Sequence, residues 1–128
     1  MRVRLRAREG LGLLPAFVPH STFWLVDGAE EIVAVSNLRH ELNESLLAHG
    51  GHVGYGVRPS KRGRGYATEL LRQTLVEARK LGIQRALVTC DKLNPASAKV
   101  IQKNGGELED EPFVPELRKT VSRYWVRL

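Results

Sequence analysis

Apolar positions recur along this chain with two periods. Between Tyr66 and Leu81, residues Ala67, Leu70, Leu71, Leu75, Ala78 and Leu81 return at three- and four-residue intervals, which lines one face of an α-helix. Gly82 follows as its stop signal. Other runs are rich in β-branched and aromatic residues. Thr22 to Asp27 (TFWLVD) and Ile32 to Leu38 (IVAVSNL) flank Gly28-Ala29-Glu30-Glu31, which predicts a hairpin. Glu41 to Ala48 reads as a short helix or helical loop, and His52 to Val57 as a third strand. Arg85 to Asp91 has a continuous apolar centre, as suits a buried strand parallel to the one before the helix. Asn94-Pro95 pairs a capping side chain with a proline at the first helical position, predicting a second helix to about Asn104, ended by Gly105-Gly106. Glu107 to Glu109 starts a strand, Glu111 to Arg118 is a proline-bearing loop, and Thr120 to Leu128 is a final strand. Trp24 and Trp125, both on strands, are expected in the core.

This order places one strand-helix-strand crossover between antiparallel hairpins. The expected fold is α+β, a mixed and mostly antiparallel sheet with flanking helices. The 128 residues fit one domain, taken as 21–128, behind a segment 1–20 that shows no sustained periodicity and reads as an arm or a remnant. No run is long enough to cross a bilayer, and Met1-Arg2-Val3-Arg4-Leu5-Arg6 lacks the apolar centre of a secretory signal. A soluble, cytoplasmic protein is expected, not associated with a membrane.

One cysteine, Cys90, excludes an internal disulfide, and four histidines without HxxxH spacing give no reason to expect a metal. Beside Asp91 and away from any histidine, that thiol reads as a small apolar residue rather than a nucleophile. The net charge of +6 is local: Arg2 to Glu9 carry +3, and Arg58, Lys61, Arg62 and Arg64 carry +4. Nucleic-acid binding, which favours a basic stripe across a whole face, is not expected. The central cluster coincides instead with Val57-Arg58-Pro59-Ser60-Lys61-Arg62-Gly63-Arg64-Gly65-Tyr66-Ala67-Thr68, where a basic, glycine-bearing loop runs into a helix N-terminus. Glycines allow the tight turn, the first helical N–H groups have no internal partner, and the positive dipole end favours phosphate. A dinucleotide site is the competing reading, since Asp91 ends the next strand; Thr68 stands where the third glycine of GxGxxG belongs, and one crossover is too few for a doubly wound sheet.

Arg62-Gly63-Arg64-Gly65-Tyr66-Ala67, following a strand that ends at Val57, resembles the signature of the GNAT superfamily of acyl-CoA-dependent N-acetyltransferases. The likeness runs through the capped Asn94 helix to Lys103-Asn104-Gly105-Gly106 and covers roughly 22–128. The phrases around Arg39-His40, Gly50-Gly51-His52 and Thr89-Cys90-Asp91 look like a bacterial predicted-acetyltransferase branch. The resemblance implies acetyl-CoA as acyl donor, with the N–H groups of Arg62, Gly63, Arg64, Gly65, Tyr66, Ala67 and Thr68 on its pyrophosphate. Val57 would meet the pantetheine through its backbone, and Asn94 joins the cofactor-binding set. It also implies an amine acceptor, a small molecule or peptide, and allows a homodimer. A second function shares the same loop: a catalytically weak CoA-binding module lacking part of the acceptor wall.

Two departures from the family stand out. The tyrosine that many members place seven residues after the asparagine, as acid for the leaving thiolate, is Ile101 here. Ser97 is the substitute candidate, against a plain capping or packing role. The start is short by a strand and one or two helices, which reads as a truncation. For the base, Tyr55 shares a face of the third strand with Val57, whereas His52 lies on the other; the alternative is a packed tyrosine and a solvent-facing histidine. Arg39-His40 with Asn43 either line the acceptor pocket or make a turn.

Overall fold

The alternating runs assemble into an eight-stranded sheet in the order β1-β2-β3-β4-β5-β8-β6, with β7 pairing β8. A computed structural model describes residues 4–10 and 18–128. The strands are β1 (Arg4–Gly10), β2 (His20–Val26), β3 (Ile32–Arg39), β4 (Val53–Val57), β5 (Arg85–Asp91), β6 (Glu107–Asp110), β7 (Phe113–Val114) and β8 (Lys119–Arg127). The helices are α1 (Tyr66–Lys80) and α2 (Pro95–Lys103). Among the described residues every strand pairing is antiparallel except β4 with β5, the pair joined through α1. The α+β class and its single crossover stand as expected.

α1 buries Leu71, Leu75 and Ala78 in a cluster with Leu38, Val53 and Val88, and Leu70 in a second one with Leu25, Val33 and Ala34. Thr74 is buried with them because its hydroxyl donates to the Leu70 carbonyl and meets Ser36 Oγ, both at 2.7 Å, so no polar atom is left orphaned. α2 closes the same layer through Ile101, which is fully buried. The Asn104 amide ties the two helices together by donating to the Thr68 and Val100 carbonyls.

Four local expectations change. Within the segment read as an arm, Arg4–Gly10 is a strand paired residue for residue with β2, while 1–3 and 11–17 lie outside the described residues. The Glu111–Arg118 loop contains β7, held by Phe113↔Thr120 and Val114↔Lys119. Glu41–Ala48, expected as a short helix or helical loop, is helical only toward its end, over 44–50, where the wide turn Leu46–Gly50 is closed by Gly51 N–H on the Leu46 carbonyl at 2.6 Å and the Asn43 side chain accepts from Leu46 N–H at 2.9 Å. Trp24 and Trp125 are only partly buried. Trp125 lies on the sheet's outer side, where Arg85 sits 4.7 Å over its ring and its indole N–H donates to Glu109.

Candidate active site

Register along β4 determines which of its main-chain groups are engaged. Arg39 N–H donates to the His52 carbonyl at 2.7 Å and Arg58 N–H to the Val33 carbonyl at 2.9 Å, so the even-numbered residues of β4 bond to β3. The N–H and C=O groups of Val53, Tyr55 and Val57 therefore point toward β5. Yet β4 and β5 pair only at Val53↔Val88. Beyond that rung the two strands diverge, and the main chain of Tyr55 and Val57 faces the opening.

The loop after β4 closes one end of this opening. Pro59–Lys61 form a single tight turn, Arg62 Nε donates back to the Val57 carbonyl at 3.3 Å, and Gly63 and Gly65 take φ of 75° and 80°. That left-handed conformation costs other residues roughly 1–2 kcal/mol. Gly65 is the N-cap of α1 and has no side chain to cap it, so the N–H groups of Tyr66, Ala67 and Thr68 lack helical acceptors and face outward at the positive end of the dipole. No Cβ would meet anything within 4 Å at Gly63. The glycines there serve conformation and approach rather than internal packing. On the far side Asn94 caps α2 by accepting from Ser97 N–H at 3.1 Å, which commits its oxygen and leaves its NH₂ as a donor.

Between these walls lies a cleft of about 490 Å³, lined by Tyr55, Val57, Arg62, Gly63, Gly65, Tyr66, Ala67, Thr68, Asn94 and Ser97, together with Gly56, Lys61, Ala96 and Val100. Ten of the eleven residues singled out from the sequence share it; Arg64 does not line it. Tyr55 and Ser97, 42 positions apart, reach across and hydrogen-bond hydroxyl to hydroxyl at 2.6 Å. Burial raises the Tyr55 pKa, outweighing the Ser97 hydrogen bond that lowers it, so the phenol holds its proton near neutrality. A phenol in that state has a proton to donate. Burial, then Asp91, also raises the Cys90 pKa, keeping it a thiol and excluding a ready thiolate nucleophile.

The model of the acetyltransferase (GNAT) domain matches residues 13–107 of the chain. This chain belongs to the GNAT acetyltransferase family. No curated protein matches the sequence. Among solved structures, the spermidine N-acetyltransferase of Vibrio cholerae in complex with CoA and spermine is similar at a TM-score of 0.69 and 18% identity, over 84% of this chain and 65% of that one. The dodecameric form of a Vibrio cholerae spermidine N-acetyltransferase in an intermediate state gives 0.67 and 18%, over 84% and 64%. The chain thus spans about 65% of the length of these structures, and at that identity the likeness speaks for the GNAT fold.

Within the GNAT frame Ile101 agrees with its sequence reading and His52 does not. Ile101, at the position of the familiar tyrosine, is fully buried in the core, so no side chain from that position reaches the cleft. His52 is not solvent-facing. It is buried, its Nδ1 accepts from Leu87 N–H at 2.9 Å, and its own N–H donates to the Leu87 carbonyl at 2.7 Å. Gly51 makes this approach feasible, since a Cβ there would lie 2.6 Å from the Leu87 oxygen. His52 therefore clamps β4 onto β5 immediately before the two strands part. The sequence signal for it was the Gly50-Gly51-His52 phrase, which marks a close approach without naming the strand approached. His40 serves the local structure, bonding Ser21 Oγ through Nε2 at 2.7 Å.

Proposed function

We propose that this protein is an N-acetyltransferase that moves an acetyl group from acetyl-CoA to an amine by direct attack. The observation that carries this reading is the convergence, in one cleft, of a splayed strand edge, an uncapped helix N-terminus behind two left-handed glycines, and a protonated tyrosine. Acetyl-CoA would supply a thioester carbonyl activated toward an amine, so that a C–N bond forms as the C–S bond breaks. The chain's own residues supply binding and proton management.

The amides of Gly63 to Thr68, with Arg62 and Lys61 beside them, suit a diphosphate. The inward N–H and C=O groups of Tyr55 and Val57 suit the amides of a pantetheine arm, which would lie against β4 as an added strand does. Tyr55 Oη holds the proton that the departing sulfur must gain, and Ser97 Oγ orients it. The acceptor amine must enter as free base, its proton passing to solvent. In the related Vibrio cholerae structures the amine is spermidine or spermine; here the reading extends to an amine on a small molecule or peptide. A cytoplasmic location fits this chemistry, and among the described residues no helix is long and apolar enough to cross a membrane. Self-association, at least as a homodimer, belongs to the same reading and follows the oligomeric relative.

Two measurements test it together. CoA should raise the melting temperature where NAD and ATP do not, because a ligand bound only by the native state stabilises it. Acetyl-CoA with a panel of amines should release thiol in an amine-dependent way. Saturable CoA binding without acylation of any amine would make the protein a CoA-binding module, and NAD binding without CoA binding would overturn both.

A further inference from the structure

The back face of β4, opposite the cleft, carries a cation with no acidic partner among the described residues. Arg39 ends β3 opposite His52, so its side chain falls on the face shared by Gly54 and Gly56. Its guanidinium lies directly over Gly54, with Nη1 and Nη2 3.2 and 3.3 Å from where a Cβ would stand. It is half-buried, yet its hydrogen bond is to the Gly50 carbonyl at 3.3 Å, and among the described residues no carboxylate lies within ion-pair distance. Burial lowers its pKa and no acidic group offsets that, as expected of a cation held without its counter-charge. Among the described residues four of its five N–H donors have no protein partner and stand open to solvent, in a fork that fits a carboxylate.

The surroundings say where that anion would sit. Gly54 and Gly56 place no side chain of β4 itself between Arg39 and the β4–β5 opening along the back of the strand, and among the described residues a Cβ at Gly56 would touch nothing within 4 Å. Asn37 and Thr22, bonded to each other at 3.4 Å, add polar groups alongside. From Gly54 to Gly56 is about 7 Å, the reach of a single amino acid or the end of a short peptide. We infer that Arg39 is an acceptor-specificity residue that selects amines bearing a carboxylate, such as amino acids or short peptides, and disfavours polyamines. The inference rests on the acetyltransferase reading for the identity of the second substrate, and on Arg39 alone for its charge.

The test compares amino acids and short peptides with their C-terminal amides and with spermidine as acceptors, in wild type, Arg39→Gln and Arg39→Lys. Loss of a charge-assisted bidentate contact should lower kcat/KM about ten- to one-hundredfold from acid to amide in the wild type, chiefly through KM. Arg39→Gln should erase that preference and Arg39→Lys restore part of it, since lysine keeps the charge but not the fork. Both variants should keep the wild-type thermal shift with CoA, which shows that they fold. Calorimetric titration of N-acetylated amino acids reads the carboxylate site without turnover: binding in wild type and loss in Arg39→Gln are expected. Amides or spermidine used as well as the acids, an unchanged preference in Arg39→Gln, or no carboxylated compound bound or acetylated would each overturn the inference. Absence of any CoA shift would sink the acetyltransferase reading instead, leaving calorimetry to decide the role of Arg39.

Discussion

At the scale of single residues, Tyr55 and His52 sit on opposite faces of one strand and do opposite things with a proton. Tyr55 keeps one and, in the proposed reaction, gives it up. Tyr55→Phe removes that donor while filling the same space, so kcat should fall about a hundredfold or more with CoA affinity little changed. Ser97→Ala, which removes the phenol's 2.6 Å partner and leaves the phenol itself, should cost less. Equal loss of CoA affinity in Tyr55→Phe, read by calorimetry, would assign the ring to binding instead. His52 must stay unprotonated at Nδ1 to accept from Leu87 N–H. Burial lowers its pKa below the unfolded value, so its contribution is present above the unfolded pKa of about 6.5 and is lost as pH falls through the folded value. The melting temperature should therefore drop between pH 7.5 and 5, and His52→Phe should flatten that part of the profile. The substitution would also lower stability at pH 7.5 by about 1–3 kcal/mol, since the buried Leu87 N–H loses its acceptor.

Elements were legible in proportion to how local their causes are. α1 could be read from its stripe and α2 from Asn94-Pro95, because periodicity and capping act within a few residues. β7 could not: two residues between prolines become a strand only because Thr120 and Lys119 of β8 are there to pair with them. β1 was missed because Arg4-Leu5-Arg6-Ala7-Arg8 alternates with one large aliphatic residue, and its strand state depends on β2. The cofactor loop was legible because glycine spacing is itself the cause of the turn. The contact of Tyr55 with Ser97 was not, since it depends on how far β4 and α2 stand apart. The loop supplies its own prediction. Gly65→Val places a β-branched residue at φ 80°, so the turn must rearrange and CoA affinity should fall more than tenfold, with α1 retained in the far-ultraviolet circular dichroism spectrum. Wild-type affinity in a folded Gly65→Val protein would count against the loop as the diphosphate site.

Considered whole, the molecule is a sheet of two leaves. β1 to β4 form one, and β5, β8, β6 and β7 the other, joined at the sheet level by the Val53↔Val88 rung and the His52 clamp and bridged by α1 and α2. The single seam has a consequence for amide hydrogen exchange. Along β4 the amides of Gly54 and Gly56 are spent on β3 and should exchange slowly, whereas those of Tyr55 and Val57 face the gap and should exchange fast, giving a sawtooth of protection in one strand. Occupancy by CoA should flatten the sawtooth by slowing the odd positions alone, and a strand protected uniformly before any ligand is added would mean that the leaves are zipped together in solution.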